Sequence, residues 1–277
     1  MLRIRILTAL VILPATLALV FLAPTWLFRL AVGVLMMIGC WEFRRLADLS
    51  ERAGLALLLL QAFVVAGLLL TWPHAVLNTA RDATLLLAGA SAAWLLLFTR
   101  LALYRPGVPP DARYRRLGFT SAIGALSFCL FALCWLREQP MGEWRVFMLF
   151  LMIWAADVGA YFSGRLLGRH KLAPRISPNK TWEGVLGGVA LATAAAFLLN
   201  FLVAGLTQAS PAALVALAVV TILASVGGDL FISMHKRTVG LKDSGRLFPG
   251  HGGVLDRYDS LLAGAPFFAL ALAWLTP

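Results

Sequence analysis

The chain has 277 residues, of which 61% are hydrophobic and only 13% are charged, about half the charged share of an average soluble domain. Its formal net charge is +11, but the cations are spread over several loops and no nucleic-acid-binding motif accompanies them. The composition excludes an ordinary soluble domain and predicts an all-α, polytopic membrane protein without a nucleic-acid partner. Anionic lipid headgroups and a phosphorylated ligand explain the positive charge better.

Nine apolar runs are long enough to cross about 30 Å of hydrocarbon. They cover residues 7–23, 25–42, 54–72, 84–99, 117–136, 146–162, 185–206, 211–231 and 258–275. The first run could instead be a cleaved signal peptide, because Arg3 and Arg5 precede it. It is longer than a usual signal core, so we favour a retained helix.

The distribution of Lys and Arg supports nine spans with a cytoplasmic amino terminus. Basic residues in short loops favour the cytoplasmic side of a membrane. With the amino terminus inside, every Lys and Arg falls on the cytoplasmic side except Arg29, Arg81, Arg137 and Arg145. A wrong number of spans would disturb this alternation.

The chain shows neither an internal repeat nor a low-complexity linker, so we expect residues 1–277 to form a single membrane domain. Polar residues are confined to loops up to about residue 145, whereas carboxylates enter the helices beyond it. We therefore expect the helices of residues 1–145 to be a scaffold and residues 146–277 to carry the function.

Four aspartates lie near the same predicted membrane boundary, each within about six residues of it, or roughly 9 Å along a helix. An ionised carboxylate in the membrane interior costs roughly 2.5 to 3.5 kcal/mol, so a group of them needs a compensating cation. Mg²⁺ or a similar hard ion would supply it. The predicted metal ligands, in decreasing order of preference, are Asp229, Asp256, Asp259 and Asp157.

Ion pairs at the membrane interface are the alternative explanation for these acids. Lys236, Arg237 or Arg257 could neutralise them without any metal. Asp157 could also be held by hydrogen bonds between helices. The glycine-rich loop beside the acids favours a shared ion.

The loop before the ninth span combines glycines with basic side chains. Consecutive glycines in Pro249-Gly-His-Gly-Gly253 expose backbone N–H groups at a helix amino end, which is a natural anion site. His251 alone would more often be structural, but its glycine neighbours favour a phosphate contact. The predicted phosphate-binding groups are Lys236, Arg237, Lys242, His251, Gly252 and Gly253.

A second polar loop, residues 165–184, offers the hydroxyl groups of Ser177 and Thr181 and the ammonium group of Lys180. It is not a Walker-type loop, because the glycine-rich stretch before Lys-Thr is missing. The alternative is a basic loop at the membrane interface without a ligand.

These motifs together resemble the signature of the phosphatidate cytidylyltransferases, also called CDP-diacylglycerol synthases. The resemblance is carried by Asp229-Leu, Ser233, Lys236-Arg237, Lys242-Asp243, Pro249-Gly-His-Gly-Gly-Val-Leu-Asp-Arg-Tyr-Asp259 and Ile176-Ser-Pro-Asn-Lys-Thr-Trp-Glu-Gly184. With Trp41-Glu-Phe and Asp157-Val-Gly-Ala-Tyr it extends from about residue 40 to the end of the chain. Two positions depart from the pattern: Ile232, where the family commonly has an acid, and Asn179, where it usually has Lys.

The resemblance implies transfer of a cytidylyl group from CTP to phosphatidate, giving CDP-diacylglycerol and diphosphate, with Mg²⁺ and room for a second cation. On this basis the expected catalytic residues are Asp229, Asp256, Asp259, Lys236 and Arg237. The expected nucleotide-binding residues are Ser177, Lys180, Thr181, Lys242, Asp243, His251, Gly252 and Gly253. The resemblance also implies a homodimer. The distribution of Lys and Arg implies a site that faces the cytoplasm, and we expect the membrane to be a bacterial inner membrane.

Two other functions remain open at this point. A related CTP-dependent polyprenol kinase would transfer the γ-phosphate to its lipid instead of the cytidylyl group. A cation-coupled transporter could also use intramembrane acids, but such proteins normally show repeated halves and sites at the midplane. Neither feature is visible in this sequence.

Overall fold

The computed structural model describes residues 2–71, 80–248, 250 and 252–275. Within these residues, nine α-helices follow one another and one β-hairpin is inserted between the sixth and the seventh. The helices are α1 Leu2–Phe21, α2 Thr25–Leu46, α3 Glu51–Thr71, α4 Ala80–Ala102, α5 Ala112–Glu138, α6 Gly142–Leu167, α7 Trp182–Leu202, α8 Pro211–Thr238 and α9 Leu255–Leu275. The antiparallel hairpin consists of β1 Lys171–Ala173 and β2 Ser177–Thr181.

The prediction of an all-α, polytopic membrane protein is confirmed. Eight helices, α2 to α9, are long and apolar enough to cross a membrane, and α1 contributes the shorter apolar segment Leu10–Phe21. Each predicted span lies within or overlaps one of the described helices. Several helices continue past their apolar run; α8, for example, extends beyond residue 231 to Thr238.

Side-chain caps fix where three of the helices begin. Asp111 accepts a hydrogen bond from Tyr114 N (2.6 Å) at the start of α5. Thr181 caps α7 through Gly184 N (3.1 Å), and Ser210 caps α8 through Ala213 N (3.3 Å). Each cap satisfies an N–H group that has no partner within its own helix.

The centre of the bundle is formed by α5 and α9, which pack against each other and against α2, α4, α6 and α8. Long stretches of both helices are buried, including Leu126 and Leu130 of α5 and Leu262 and Phe268 of α9. Large apolar side chains on α3, α4 and α7 are exposed instead, as expected for surfaces that face lipid.

Helices α6 and α7 approach each other through glycines. A Cβ atom on Gly159 would lie 2.5 Å from the carbonyl oxygen of Gly187, and one on Gly188 would lie 2.9 Å from that of Ala156. No side chain fits in this space, so the glycines permit the two backbones to make contact.

Four connecting segments meet at one end of the bundle, which we call the polar end. They comprise residues 47–50, 103–111, 168–181 and 239–254. Contacts at this end include Tyr114 Oη of α5 to the Leu46 carbonyl of α2 (2.6 Å) and Arg237 Nε of α8 to the Ile176 carbonyl of the hairpin (3.4 Å). At the opposite end, Arg29 near the start of α2 pairs with Glu138 at the end of α5 (3.0 Å).

Candidate active site

The four predicted acids line two neighbouring cavities near the polar end. The α6–α8 cavity has a volume of about 240 Å³ and is lined by Asp157, Asp229, Lys180 and Thr181, among others. The α9 cavity has a volume of about 210 Å³. Its acids are Asp157, Asp256 and Asp259. Asp157 lines both cavities, so the cavities adjoin, and α6, α8 and α9 bring their acids to one region as predicted.

Asp229 on α8 forms an ion pair with Lys180 at the end of the β-hairpin. Oδ2 contacts the Lys180 ammonium, and Oδ1 accepts a hydrogen bond from Ser233 one helical turn later (3.1 Å). About a quarter of each paired side chain is exposed, so the pair faces the cavity. The site therefore holds a cation and an anion in direct contact, at an opening large enough for a phosphate group.

Asp157 and Asp259 differ from Asp229 because neither contacts a Lys or Arg among the described residues. Both interact electrostatically with Asp229 and Lys180. Asp259 accepts a hydrogen bond from the backbone N–H of Ser260 (2.7 Å). The carboxylates of Asp157 and Asp259 are therefore not neutralised by direct contact with a Lys or Arg side chain of the described chain.

A hydrogen-bonded contact between Glu183 and His170 holds the hairpin that carries Lys180. The Glu183 carboxylate, in the first turn of α7, lies 2.6 Å from His170 Nδ1 and accepts from the His170 backbone N–H (3.2 Å). The Trp182 N–H donates to the His170 carbonyl (2.9 Å). These contacts tie both ends of the segment 170–182 to the start of α7, and so they set the position of Lys180.

Asp256, in the first turn of α9, is surrounded by donors from the chain itself. Oδ1 accepts from Lys236 Nζ (2.7 Å). Oδ2 accepts from the N–H groups of Ser244 (2.7 Å) and Gly253 (2.9 Å) and from Ser244 Oγ (3.0 Å). Its side chain is 5% exposed. In this structure Asp256 thus fastens the loop between α8 and α9 to the end of α8.

Glu42 on α2 is a site residue that the sequence analysis did not identify. It is buried, and its carboxylate accepts from Ser244 Oγ (2.7 Å), Val254 N (2.9 Å) and Leu255 N (2.9 Å). Two of these donors are the amino end of α9, where a negative charge is stabilised by the helix dipole. The available signal was an acid inside a predicted span, which usually has a specific partner.

The glycine loop is therefore organised by two carboxylates. Gly253 N–H is donated to Asp256, and a Cβ atom on Gly245 or Gly253 would collide with the Glu42 carboxylate. Gly252 has a φ of +83°, a left-handed conformation that favours glycine. Of the N–H groups predicted to bind phosphate, that of Gly253 is donated to Asp256 in this structure.

The remaining predicted residues lie at varying distances from the cavities. Arg237 is exposed and reaches the hairpin through Ile176. Lys242 and Asp243 are exposed in the loop and line neither cavity, and Ser177 is half-buried in β2. His251 lies outside the described residues.

The two departures from the family pattern fall in different environments. Asn179 lines the α6–α8 cavity beside Lys180. Ile232 is completely buried in the core and lines neither cavity. Only the Asn179 departure removes a charge from the cavity wall.

Within the described ranges, no three Asp, Glu, His or Cys side chains lie close enough to hold a metal ion as they stand. The donor chemistry nevertheless fits a hard cation, because Asp157, Asp229 and Asp259 offer only oxygen ligands. The metal ligands therefore stay a prediction.

Comparisons with known proteins identify the family of this chain. The chain is similar to phosphatidate cytidylyltransferases of Pseudomonas aeruginosa, at 41% identity over 99% of this chain and 97% of the relative, and of Haemophilus influenzae, at 36% identity over 97% and 98%. A phosphatidate cytidylyltransferase of Brucella suis is 38% identical over 97% of this chain and 92% of its own length. The model of the cytidylyltransferase family matches residues 3–275. The chain therefore belongs to the cytidylyltransferase family and is a nucleotidyl-transferring enzyme.

Proposed function

We propose that this protein is a phosphatidate cytidylyltransferase that converts CTP and phosphatidate into CDP-diacylglycerol and diphosphate. Its full-length similarity to proteins of that name supports the choice of substrates. The observation that carries the site is the Lys180–Asp229 pair in a cavity between membrane helices. A lipid phosphate and a soluble nucleotide can both reach such a position.

The reaction needs little base catalysis. An oxygen of the lipid phosphate attacks the α-phosphorus of CTP, a new P–O bond forms, and the bond to the β-phosphate breaks with its electron pair leaving on diphosphate. The main barrier is repulsion between two anions and the charge that develops on the phosphoryl oxygens. Cationic side chains that face the cavity reduce the repulsion between the two anions and stabilise the charge that develops on the phosphoryl oxygens.

Lys180 and Lys236 are the cations best placed for this role. Lys180 faces the α6–α8 cavity. Lys236 lines neither acid-lined cavity but is paired with Asp256, which lines the α9 cavity. Both ammonium groups are paired with aspartates, so their positions are fixed before substrate binds. Arg237 is more exposed and would contact the part of the nucleotide that extends into solvent.

A divalent ion, with Mg²⁺ as the expected one, would be held by Asp229, Asp259 and Asp157. When bound, it would neutralise phosphate charge and orient the reacting groups. Asp256 is our fourth proposed ligand, although its oxygens have protein donors in this structure. The carboxylates outnumber the two ammonium groups that pair with them, which favours an additional cation.

The decisive assay uses purified protein with phosphatidate, Mg²⁺ and CTP labelled in the cytidine ring. We expect the cytidine label to become extractable with lipid and diphosphate to appear in equal amount. Transfer of a γ-phosphate label to polyprenol, without cytidine, would identify a lipid kinase instead. Ion flux in proteoliposomes that needs no nucleotide would identify a transporter.

We further propose that the polar end faces the cytoplasm across a bacterial inner membrane. The concentration of basic residues in its loops supports this orientation. Cys40, Cys129 and Cys134 are buried, so a cysteine introduced at exposed Lys242 can serve as a single reporter. It should react with a membrane-impermeant maleimide in inverted vesicles and stay unreactive in intact spheroplasts. The expected homodimer stays a prediction.

A further inference from the structure

A cavity of about 380 Å³ lies at the polar end between α4, α5 and α8, away from both acid-lined cavities. Its wall includes Arg100, Arg105 and Arg113, and we call it the arginine pocket. Nothing in the proposed reaction uses these arginines.

The pocket has an excess of positive charge. Asp111 is its carboxylate, and Oδ1 of Asp111 caps α5 through Tyr114 N (2.6 Å). In the part of the chain that the structure describes, none of the three arginines contacts an Asp or Glu side chain. Three arginines therefore line one cavity, and no Asp or Glu side chain of the described residues pairs with any of them.

Arg100 is the most constrained of these cations. Its guanidinium is half-buried near the rings of Tyr114 (5.8 Å) and Phe231 (5.7 Å). Its hydrogen bond to Ser121 Oγ is long, at 3.5 Å. A guanidinium held on aromatic faces keeps its forked N–H groups available, and that fork matches the oxygens of a phosphate.

The apolar part of the pocket indicates where the phosphate comes from. Leu103 and Val108 line the cavity and are 75% and 56% exposed. They follow the membrane-spanning part of α4, which ends at Ala102, so we place them near the level of the lipid headgroups. A soluble anion would gain nothing from these side chains, whereas a lipid can place its glycerol and upper acyl carbons against them.

We propose that the arginine pocket binds the phosphate group of an anionic phospholipid, as a site separate from the active site. Met234 and Thr238 of α8 line it. They lie on the opposite side of α8 from Asp229 and Ser233, because successive helical residues are rotated by about 100°. The same helix end thus separates two anion-binding cavities.

The test uses full-length protein in neutral detergent with Val108→Cys as a reporter in the pocket. The native cysteines are buried, so maleimide modification follows the introduced thiol. Dioctanoyl phosphatidylglycerol should slow this modification, and dioctanoyl phosphatidylcholine should not. Adding Arg100→Gln should raise the lipid concentration for half-protection about tenfold, the loss expected for one charged contact.

Two further variants and a soluble probe complete the design. Arg116→Gln, on the same helix as Arg113 but outside the pocket, should leave protection unchanged. Asp229→Asn should also leave it unchanged if the two sites are separate. The proposal would be overturned by equal protection by phosphatidylcholine, by an unchanged half-protection concentration in the Arg100→Gln variant, or by protection by inorganic phosphate at the same concentration.

Discussion

Glu42 on α2 accepts a 2.7 Å hydrogen bond from Ser244 Oγ, although the two residues are 202 positions apart. Ser244 also donates its backbone N–H to Asp256 Oδ2 (2.7 Å), so one residue bridges two carboxylates, one on each side of the loop. The loop between α8 and α9 is consequently fixed to the amino-terminal helices as well as to its own neighbours.

Replacing Glu42 by Ala should destabilise the protein by at least about 2 kcal/mol, because two backbone N–H groups and one hydroxyl would lose their acceptor. Glu42→Gln should have an intermediate effect, since one amide oxygen remains. The midpoint of thermal denaturation in detergent measures the loss of stability in both variants. Glu51→Gln, an exposed acid on α3, is the control; an equal shift there would contradict the role given to Glu42.

Asp256→Asn should abolish turnover and leave a folded membrane protein. The amide would place an NH₂ group against either Lys236 or the loop N–H groups, so charge-assisted bonds are lost. We expect a loss of at least about 100-fold in kcat, or about 2.7 kcal/mol. A Lys236→Met variant and the double variant should show strongly non-additive losses, because the two residues form one ion pair. Near-normal activity of Asp256→Asn would remove this residue from the site.

Lys180→Gln should lower kcat by at least about 100-fold, because the variant loses the cation beside Asp229. Lys171→Gln, on β1 of the same hairpin with an exposed side chain, should change kcat by less than about twofold. Steady-state assays with the two purified variants test this. Similar losses in both would mean that the hairpin needs positive charge in general rather than the Lys180–Asp229 pair.

Gly159→Ala should destabilise the contact between α6 and α7 by several kcal/mol. The new Cβ would lie 2.5 Å from the Gly187 carbonyl oxygen, which belongs to a helix backbone and cannot move alone. Gly67→Ala and Gly89→Ala are matched controls, since a Cβ atom added to either glycine would meet no other atom within 4 Å. Both controls should be neutral or slightly stabilising in the same denaturation assay.

Chelation of divalent ions should abolish activity, and added Mg²⁺ should restore it. Because a ligand that binds the folded state stabilises it, Mg²⁺ should also raise the denaturation midpoint of the wild type. Asp229→Asn and Asp157→Asn should reduce this shift. An unchanged shift in both variants would place the ion elsewhere, whatever the effect on turnover.

The membrane helices could be predicted because hydropathy is a local property. The limits of individual helices could not, since they depend on caps and contacts: α5 begins at Ala112 beside the Asp111 cap, and not at residue 117. The β-hairpin was not predicted. Its short strands carry no apolar alternation and are held by the His170–Glu183 contact.

The site could be predicted in its residue types but not in its pairings. Lys180 and Asp229 were both identified, one for the nucleotide and one for a metal, yet their mutual contact joins two elements far apart in the chain. The glycine loop was predicted to hold phosphate, and that stays a prediction; its contacts with Asp256, through the Gly253 N–H, and with Glu42, through the Val254 N–H, were not predicted. Such long-range partners follow from tertiary packing, which a single sequence does not display.

The last turns of α8 border the Asp229 cavity on one side and the arginine pocket on the other. Two ligands that contact the same helix obey thermodynamic reciprocity. If binding of one ligand changes the affinity for the other, each alters the affinity of the other by the same factor. Turnover would then respond to the anionic lipid content of the surrounding bilayer, and the membrane itself would act as the effector of an enzyme that builds it.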